Sequence, residues 1–527
     1  MTYLASVAEQ TPYSELYVQD DIRLTGRVSL NLGLRYKWEG AHTERFDRFN
    51  RGFDYTSPSP IEAQAAAAYA RSPIPEVPAS QFAVKGGLLF AHRGGLPRAL
   101  TDIDRNNVSP RVGVAFTLTP QTVLRGGYGR FYGPTTPESE TSFGFSATTP
   151  WVTTVDGGLT PVDTLSDPFP KGILPPPGYQ EGLLTQVGQS ISFVNPRRTQ
   201  LYTTQFQFSL QRQFPGGIVA EASYSGTRGG EYSVTRSIDE IPEKWRAQAR
   251  EIFVATRRNV LNDSVSNPFF GLISTGALSG RTTTRGQLTR PYPHFTAISR
   301  IGNSIGSSRY HALQLKAHRR LSHGLTFLAS YTISKLIEQN FFLNPTDEQL
   351  SRRLASFDVP QRFVVSGSYQ LPFGKGRPLG ADVRGLPGVL ISGWQMNWVY
   401  SAQAGVPLTI SSGESLGRSA KLPNSQRTLS RWFDTSAFRL RETLELVGTA
   451  RLPDVRSHGR NNMDFSLYKD TRLSEALRLQ FRAESFNLFN RAEFGDPNTT
   501  VGSASFGVIS SQINYSRQLQ FGLRLLW

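Results

Sequence analysis

The sequence predicts an all-β fold, an antiparallel transmembrane β-barrel, and three observations carry that prediction. Apolar and polar residues alternate with a period of two in many short segments, as in strands with two unlike faces. Short turns and long loops alternate between these segments. The last strand ends on an aromatic residue, Trp527.

The composition is compatible with this fold. Of the 527 residues only 38% are hydrophobic, and no run of about 18 apolar residues occurs. A barrel strand is apolar only at alternate positions, so hydropathy windows average its signal away. Cysteine is absent, which excludes disulfides and thiolate metal sites.

The chain is strongly basic, with a formal net charge of +16. Such a charge fits nucleic acid, anionic lipid or a basic channel as the partner. No block of Lys and Arg marks a nucleic-acid patch, and many basic residues lie on the polar side of the predicted strands. We therefore expect no nucleic acid, and the charge leaves anionic lipid and a basic channel open. The predicted barrel itself implies outer-membrane lipid as a partner.

The alternation predicts about 13 strands. In chain order they cover residues 16–24, 28–38, 111–118, 123–132, 201–214, 218–226, 313–317, 325–333, 362–371, 394–400, 463–468, 477–484 and 519–527. Turn residues join them in pairs, and the sequence predicts that short and long connections alternate without exception. In outer-membrane barrels the short turns are periplasmic and the long loops extracellular.

Two helices are predicted within the loops. One covers 61–71, and the other covers 241–253 with Asp239 or Glu240 as its cap. Both are expected to shape the loops rather than to bind a ligand.

The N-terminal end has neither the basic region nor the apolar core of a secretion signal. With an odd number of strands, the first predicted strand also needs an upstream partner. We therefore expect residues 1–527 to be one barrel domain that is N-terminally incomplete. Its sheet should be open, with unpaired edges at 16–24 and at the last strand.

The last strand carries the pattern polar-x-Gly-x-x-apolar-x-aromatic at Gln520, Gly522, Leu525 and Trp527. This pattern resembles the C-terminal assembly signal of bacterial outer-membrane barrels, which implies barrel-assembly machinery as a partner. An ordinary amphipathic strand is the alternative. Aromatic residues should lie near strand ends or on the outer face. They are Tyr36, Trp38, Tyr128, Trp394, Trp398 and Trp527.

Segments spread over nearly the whole chain carry a resemblance to a known family. They include Leu16-Tyr-Val-Gln-Asp-Asp-Ile-Arg23, Ser109-Pro-Arg-Val-Gly-Val-Ala115, Asn267-Pro-Phe-Phe-Gly271, Arg290-Pro-Tyr-Pro-His-Phe295, Arg362-Phe-Val-Val-Ser-Gly367, Leu371-Pro-Phe-Gly-Lys-Gly-Arg377 and Phe486-Asn-Leu-Phe-Asn490. In their shared order these segments resemble TonB-dependent outer-membrane receptors, and most of all the Oar-like branch.

The resemblance implies a barrel of 22 strands closed by an N-terminal plug, of which this chain covers roughly the tenth strand onward. It implies a Gram-negative outer membrane and uptake of a large, unknown solute. The TonB system is implied as a partner only through the plug. Energy-dependent uptake by this polypeptide alone is therefore not expected.

In a member of this family, basic residues on the polar phase of the strands would line the barrel and meet the plug or an anionic solute. They are Arg35, Lys37, Arg125, Lys316, Arg478, Arg482 and Arg524. Charge pairing across strands, with Glu484 and other acidic neighbours, is the alternative.

No catalytic, cofactor or metal site is predicted, and we expect the protein not to be an enzyme. The seven histidines show no ligand spacing, and Gly126-Gly-Tyr-Gly129 lies inside a strand rather than before a helix. The alternative to a transport protein is a secreted soluble all-β protein that binds or hydrolyses carbohydrate. That protein would need polar outward strand faces.

Overall fold

The computed structural model describes residues 1–134, 142–154, 158–447, 451–452 and 454–527. Its main element is a sheet of 15 strands, two of which lie off the main path. The other 13 form what we call the wall. They are β1 (Tyr13–Arg23), β2 (Val28–Glu39), β3 (Val108–Thr119), β4 (Thr122–Tyr132), β5 (Tyr202–Phe214), β6 (Ile218–Ser237), β7 (Ala297–Ser322), β8 (Leu325–Gln339), β9 (Gln361–Gln370), β10 (Trp394–Gln403), β11 (Arg460–Arg472), β12 (Arg478–Phe486) and β13 (Gln518–Leu526).

The wall is an antiparallel meander in sequence order. Each strand pairs with the strand that follows it, from β1 through to β13. Within the described residues β1 and β13 do not pair with each other, so both are edge strands. The predicted all-β class, the 13 strands and the open sheet with these two edges are confirmed.

The register keeps one apolar face across the wall. A single row of directly opposed residues runs through six neighbouring strands as Leu124, Leu210, Ala222, Leu315, Tyr331 and Phe363. The adjacent row, on the other face, reads Arg125, Ser209, Ser223, Gln314, Thr332 and Arg362. Because side chains alternate with period two, these rows define an apolar wall face and a polar wall face.

Two strands are much longer than the sequence predicts. β6 runs to Ser237 and β7 starts at Ala297, whereas alternation was recognised only over 218–226 and 313–317. The added parts lack a clean two-residue pattern, and their pairing shifts register between Gly229 and Tyr232 and between Val234 and Arg236. Such β-bulges disturb the alternation on which the prediction depended.

The connections alternate between the two ends of the wall, with one exception to the predicted rule. The His323-Gly324 turn has φ values of 51° and 80°, which suit a tight hairpin between β7 and β8. The segment 371–393, between β9 and β10, belongs to the short-turn end yet contains a helix and is as long as the loop 340–360. The helix within this Gly- and Pro-rich segment makes the connection long.

The helices lie in the connections. They are α1 (Glu62–Tyr69), α2 (Glu243–Thr256), α3 (Arg285–Leu288) and α4 (Gly385–Ile391). The first two were predicted, but the predicted cap of α2 is wrong, because Pro242 occupies the N-cap position without a side-chain hydrogen bond. Among the described helices, none is long and apolar enough to cross a membrane.

Short strands complete the structure. Ser190–Val194 pairs with β7 in parallel, and Arg353–Leu354 pairs with β8. The other short strands form separate pairs, which are Thr2–Leu4 with Ser146–Thr148, Glu9–Gln10 with Thr43–Glu44, Asn50–Pro58 with Lys85–Phe90, Ser264–Ser266 with Thr282–Thr284, and Gly413–Ser415 with Phe438–Leu440.

Nearly all the buried apolar residues belong to the long loops rather than to the wall. We call the long loops after β2, β4, β6, β10 and β12, taken together, the loop cap.

Candidate functional site

The polar wall face brings the predicted basic residues onto one surface. The rows that contain Arg35, Arg125, Lys316 and Arg482 all lie on the face opposite to the apolar row of Leu124. The structure therefore places these residues on the polar wall face, and their individual partners differ.

Two of the predicted residues form ion pairs near the edge of the wall. The Arg35 guanidinium donates to Oε2 of Glu15 at 3.0 Å, across β1 and β2. Lys37 is only 3% exposed. Its ammonium group lies 3.2 Å from Oε2 of Glu39 and donates to the carbonyl of Gly133 at 2.6 Å. The geometry of these two side chains fits the alternative expectation, in which basic residues pair with acidic neighbours.

Arg125 and Arg482 are held by amides and rings rather than by carboxylates. Arg125 donates to Oε1 of Gln211 on the adjacent strand. Arg482 donates to Oε1 of Gln480 at 2.6 Å and stacks over the Tyr468 ring at 4.9 Å. The alternative that Glu484 pairs with the arginines does not describe the structure, because Glu484 accepts from the Tyr468 hydroxyl at 3.0 Å.

Three predicted residues keep their charge free. Within the described part of the chain, Lys316, Arg478 and Arg524 form no side-chain hydrogen bond or ion pair, and all three are exposed. Lys316 lies directly opposite Glu221 in the ladder between β6 and β7, without a salt bridge between them. Free cations on a polar surface can attract anions from solution.

The C-terminal strand presents its aromatic end to the outside. In β13, Gln520 lies opposite Glu484, Gly522 opposite Arg482 and Leu525 opposite Leu479. Trp527 follows the strand and is 93% exposed. A Cβ added at Gly522 would meet no atom closer than 3.9 Å, so packing alone does not require glycine there.

The six aromatic residues predicted for the outer face share the apolar wall face or its continuation. Trp398 lies opposite Phe465, and Tyr128 lies opposite both Val112 and Phe206, all on that face. None of the six is among the buried residues. The exposed face on which they lie is apolar, whereas the soluble carbohydrate-binding or hydrolytic alternative requires polar exposed strand faces.

The loop cap has hydrophobic clusters of its own. One cluster joins Ala65 and Tyr69 of α1 to Phe82, Phe269 and Leu288. A second joins Phe53, Phe193, Tyr292 and Phe295, with Phe53 and Phe193 stacked at 5.6 Å between ring centroids. A third, built from residues between Leu408 and Val501, joins the loops after β10 and β12. The loops are therefore folded units and not free connections.

Two segments noted for the family resemblance organise this core. In the first, the Asn267 side-chain amide donates to the carbonyls of Leu278 and Gly280, and its Oδ1 accepts from the Phe269 N–H. In the second, His294 is fully buried, and its Nε2 donates to the carbonyl of Gly86 at 3.3 Å. Burial lowers the pKa of His294 to about 4, so its ring is neutral at pH 7.

A buried carboxyl group lies beside these segments. Asp239 follows β6, and its Oδ1 accepts from the Tyr292 N–H at 2.8 Å, while its Oδ2 is buried with no hydrogen-bond partner. Desolvation by burial raises the pKa of Asp239 to about 8. The Asp239 side chain is therefore largely protonated at neutral pH, and it holds the loop instead of capping α2.

A second charged region was not predicted from the sequence. A cavity of about 940 Å³ lies where the loop after β10 meets the loop ends of β8 to β11. We call it the basic cavity. Its cationic lining residues are Arg362, Lys421, Arg427, Arg456, Arg460 and Arg491. These positions are scattered over 130 residues of sequence, so no local motif predicts the cavity.

Comparison with known proteins gives a family. Residues 2–520 match the family described as "Outer membrane beta barrel domain". No curated protein matches the sequence.

Solved structures that match this chain include three outer-membrane proteins. They are the ferripyoverdine receptor of Pseudomonas aeruginosa bound to ferripyoverdine (8% identity, TM-score 0.40, covering 99% of this chain and 39% of that one), the ferric-catecholate import receptor Fiu from K12 E. coli (10%, 0.39, 98% and 45%) and the outer membrane transporter YddB from Escherichia coli (10%, 0.40, 98% and 54%). This chain thus spans roughly half the length of these proteins, or less. Because the family match covers nearly the whole sequence, the chain belongs to the outer membrane β-barrel domain family.

Proposed function

We propose that this chain forms part of the wall and the extracellular loops of a TonB-dependent receptor of the Oar-like branch, which takes up a large solute across the outer membrane. The observation that carries the proposal is the continuous pair of wall faces, one apolar and one polar, kept in register through 13 strands. An apolar face suits lipid, and a polar face suits a water-filled path. The receptor type rests on the segments that resemble that family.

The two edges of the wall support a larger barrel. In hydrocarbon, unpaired N–H and C=O groups cost several kcal/mol each, so β1 and β13 need strand partners in the membrane. Additional strands of a complete receptor would supply them, and a plug within the lumen would couple uptake to TonB.

The path along the polar wall face can be tested by conductance. In planar bilayers, the complete barrel without its plug should form a pore whose reversal potential in a salt gradient indicates preference for anions. Lys316→Glu with Arg524→Glu should shift the reversal potential toward cations, because both charges are free on this face. Arg71→Glu, an exposed residue after α1, is the control and should leave it unchanged. Unchanged selectivity in the double variant would contradict the proposed path.

The receptor type needs a separate test in cells. With the complete receptor expressed, uptake of its solute should stop when TonB is deleted. Uptake that persists without TonB would leave an outer-membrane pore but reject the TonB-dependent type.

A further inference from the structure

We infer that the basic cavity binds a ligand that carries several phosphate groups, at the loop end of the barrel. The inference concerns binding of the ligand at the loop ends of the strands. It stands whether or not the barrel carries the ligand across the membrane.

The charge of the cavity is the first argument. Six cationic side chains line it, against a single carboxylate, Asp454. With the pKa of His458 lowered by burial, its ring is neutral at pH 7 and adds no charge. Once the ion pair of Arg456 with Asp358 is counted as well, the cations exceed the carboxylates by four formal charges. A ligand with one negative charge would leave most of this uncompensated, whereas each terminal phosphate group brings nearly two negative charges.

The pairing of these cations is the second argument. Arg456 is already used, because it binds Oδ2 of the buried Asp358 at 2.6 Å and the carbonyl of Gly405. Arg427 donates to the Leu422 carbonyl at 3.0 Å. In contrast, the other four have no side-chain hydrogen bond or ion pair within the described residues, and all are exposed. They are Arg362, Lys421, Arg460 and Arg491.

The fixed geometry is the third argument. Arg362 and Arg460 lie on the same row of the polar wall face, each directly opposite Gln403 from either side. Two strand spacings set their backbones about 10 Å apart. The Trp432 indole donates to the Arg456 carbonyl at 2.7 Å, which fixes the loop against the strand ends. Two arginines on rigid strands that flank β10, with cations from two loops, form a preorganised anion site rather than a mobile charged surface.

The ligand chemistry follows from the arginines. Guanidinium groups bind phosphate oxygens through paired N–H donors, and such charge-assisted bonds are stronger than neutral ones. The phosphates could belong to a soluble solute or to the headgroup of an outer-leaflet lipid. The chemistry of the site is the same for both sources.

Binding of inorganic tripolyphosphate to the full chain, measured by isothermal titration calorimetry in detergent, tests the site. We expect a one-to-one complex that weakens as NaCl increases. Arg460→Gln and Arg491→Gln should each raise the Kd about tenfold, and the double variant about a hundredfold. Arg71→Gln, an exposed arginine outside the cavity, should bind like the wild type, and circular dichroism should show that each variant keeps its β-sheet content.

A fluorescence measurement guards against a misfolded variant, because the emission of the seven tryptophans should be the same in every variant before ligand is added. The source is distinguished by titrating the protein with vesicles that contain or lack phosphatidic acid. If these vesicles compete with tripolyphosphate, the site accepts a headgroup; if they do not, it takes the soluble form. Absence of tripolyphosphate binding, or equal affinity in the Arg460→Gln/Arg491→Gln and Arg71→Gln variants, would overturn the inference.

Discussion

The wall and the loop cap contain similar apolar residues, but the wall exposes them and the loop cap buries them. Phe193 in the loop cap is 1% exposed, whereas Phe521 and Leu523 in β13 are 68% and 71% exposed. In an outer-membrane protein the exposed wall residues face lipid, which needs no further burial. The loops lie in water, so they must bury their apolar surface within themselves.

The two regions also satisfy their backbones differently. In the wall, neighbouring strands pair residue by residue, and no side chain needs to intervene. In the loop cap, buried side-chain amides take over this task, as when Gln287 donates to the carbonyls of Pro293 and Phe295. The comparison teaches that the two regions of one chain fold under different constraints. The wall can leave its apolar residues exposed to lipid, whereas the loop cap must bury them away from water.

The largest expected effect tests whether the loop cap has a true core. Phe193→Ala should destabilise the loop cap by about 3–5 kcal/mol, because it removes a fully buried ring and leaves a cavity. Limited proteolysis of the loops in the membrane-inserted protein would measure this. Phe521→Ala is the matched control and should lose less, because lipid fills the vacated space. Equal proteolysis of the two variants would remove the distinction between the regions.

A charge on the apolar wall face should have the next largest effect. Leu523→Arg, in the middle of β13, should cost about 2–4 kcal/mol in equilibrium refolding into lipid vesicles, because the face lies in hydrocarbon. Gln520→Arg places the same charge on the polar wall face and should be nearly neutral. If both variants refold equally well, the assignment of the faces is wrong.

The pH dependence of the loop cap should follow from Asp239. Its pKa is raised to about 8 in the folded protein, so the unfolded chain ionises first and stability falls as pH rises toward 8. Above about pH 7.5, where His294 is mostly neutral in the unfolded as well as the folded state, the fall should be at most about 1.4 kcal/mol per pH unit. Asp239→Asn should abolish this slope in loop proteolysis measured as a function of pH. A slope retained in the Asn variant would assign it to another group.

The smallest effect on stability is expected at Trp527. Because the residue is almost fully exposed, Trp527→Ala should change the free energy of unfolding by no more than about 0.5 kcal/mol. If the terminal strand is an assembly signal, the same variant of the complete receptor should nevertheless fail to accumulate in the outer membrane. Trp527→Phe retains an interfacial aromatic and should assemble nearly normally. Equal membrane levels for Ala and Trp would make β13 an ordinary strand.

The wall was predictable because its signal is local. The period of two in 28–38 or 325–333 gives the strand, its faces and its approximate ends without knowledge of the partner. The predicted basic residues could be assigned to a face for the same reason. Their partners could not be predicted, since the choice of Gln211 for Arg125 or Glu15 for Arg35 depends on the register and on the rotamers of two strands.

The sequence by itself therefore determined the class of fold, the order of the strands and the two faces of the wall, because side-chain alternation is a property of consecutive residues. Only the tertiary structure decided that the long loops form a buried core, that Asp239 binds Tyr292 instead of capping α2, and that arginines as distant as Arg362 and Arg491 line one cavity. These features depend on contacts between segments far apart in the chain, for which no periodic pattern is required.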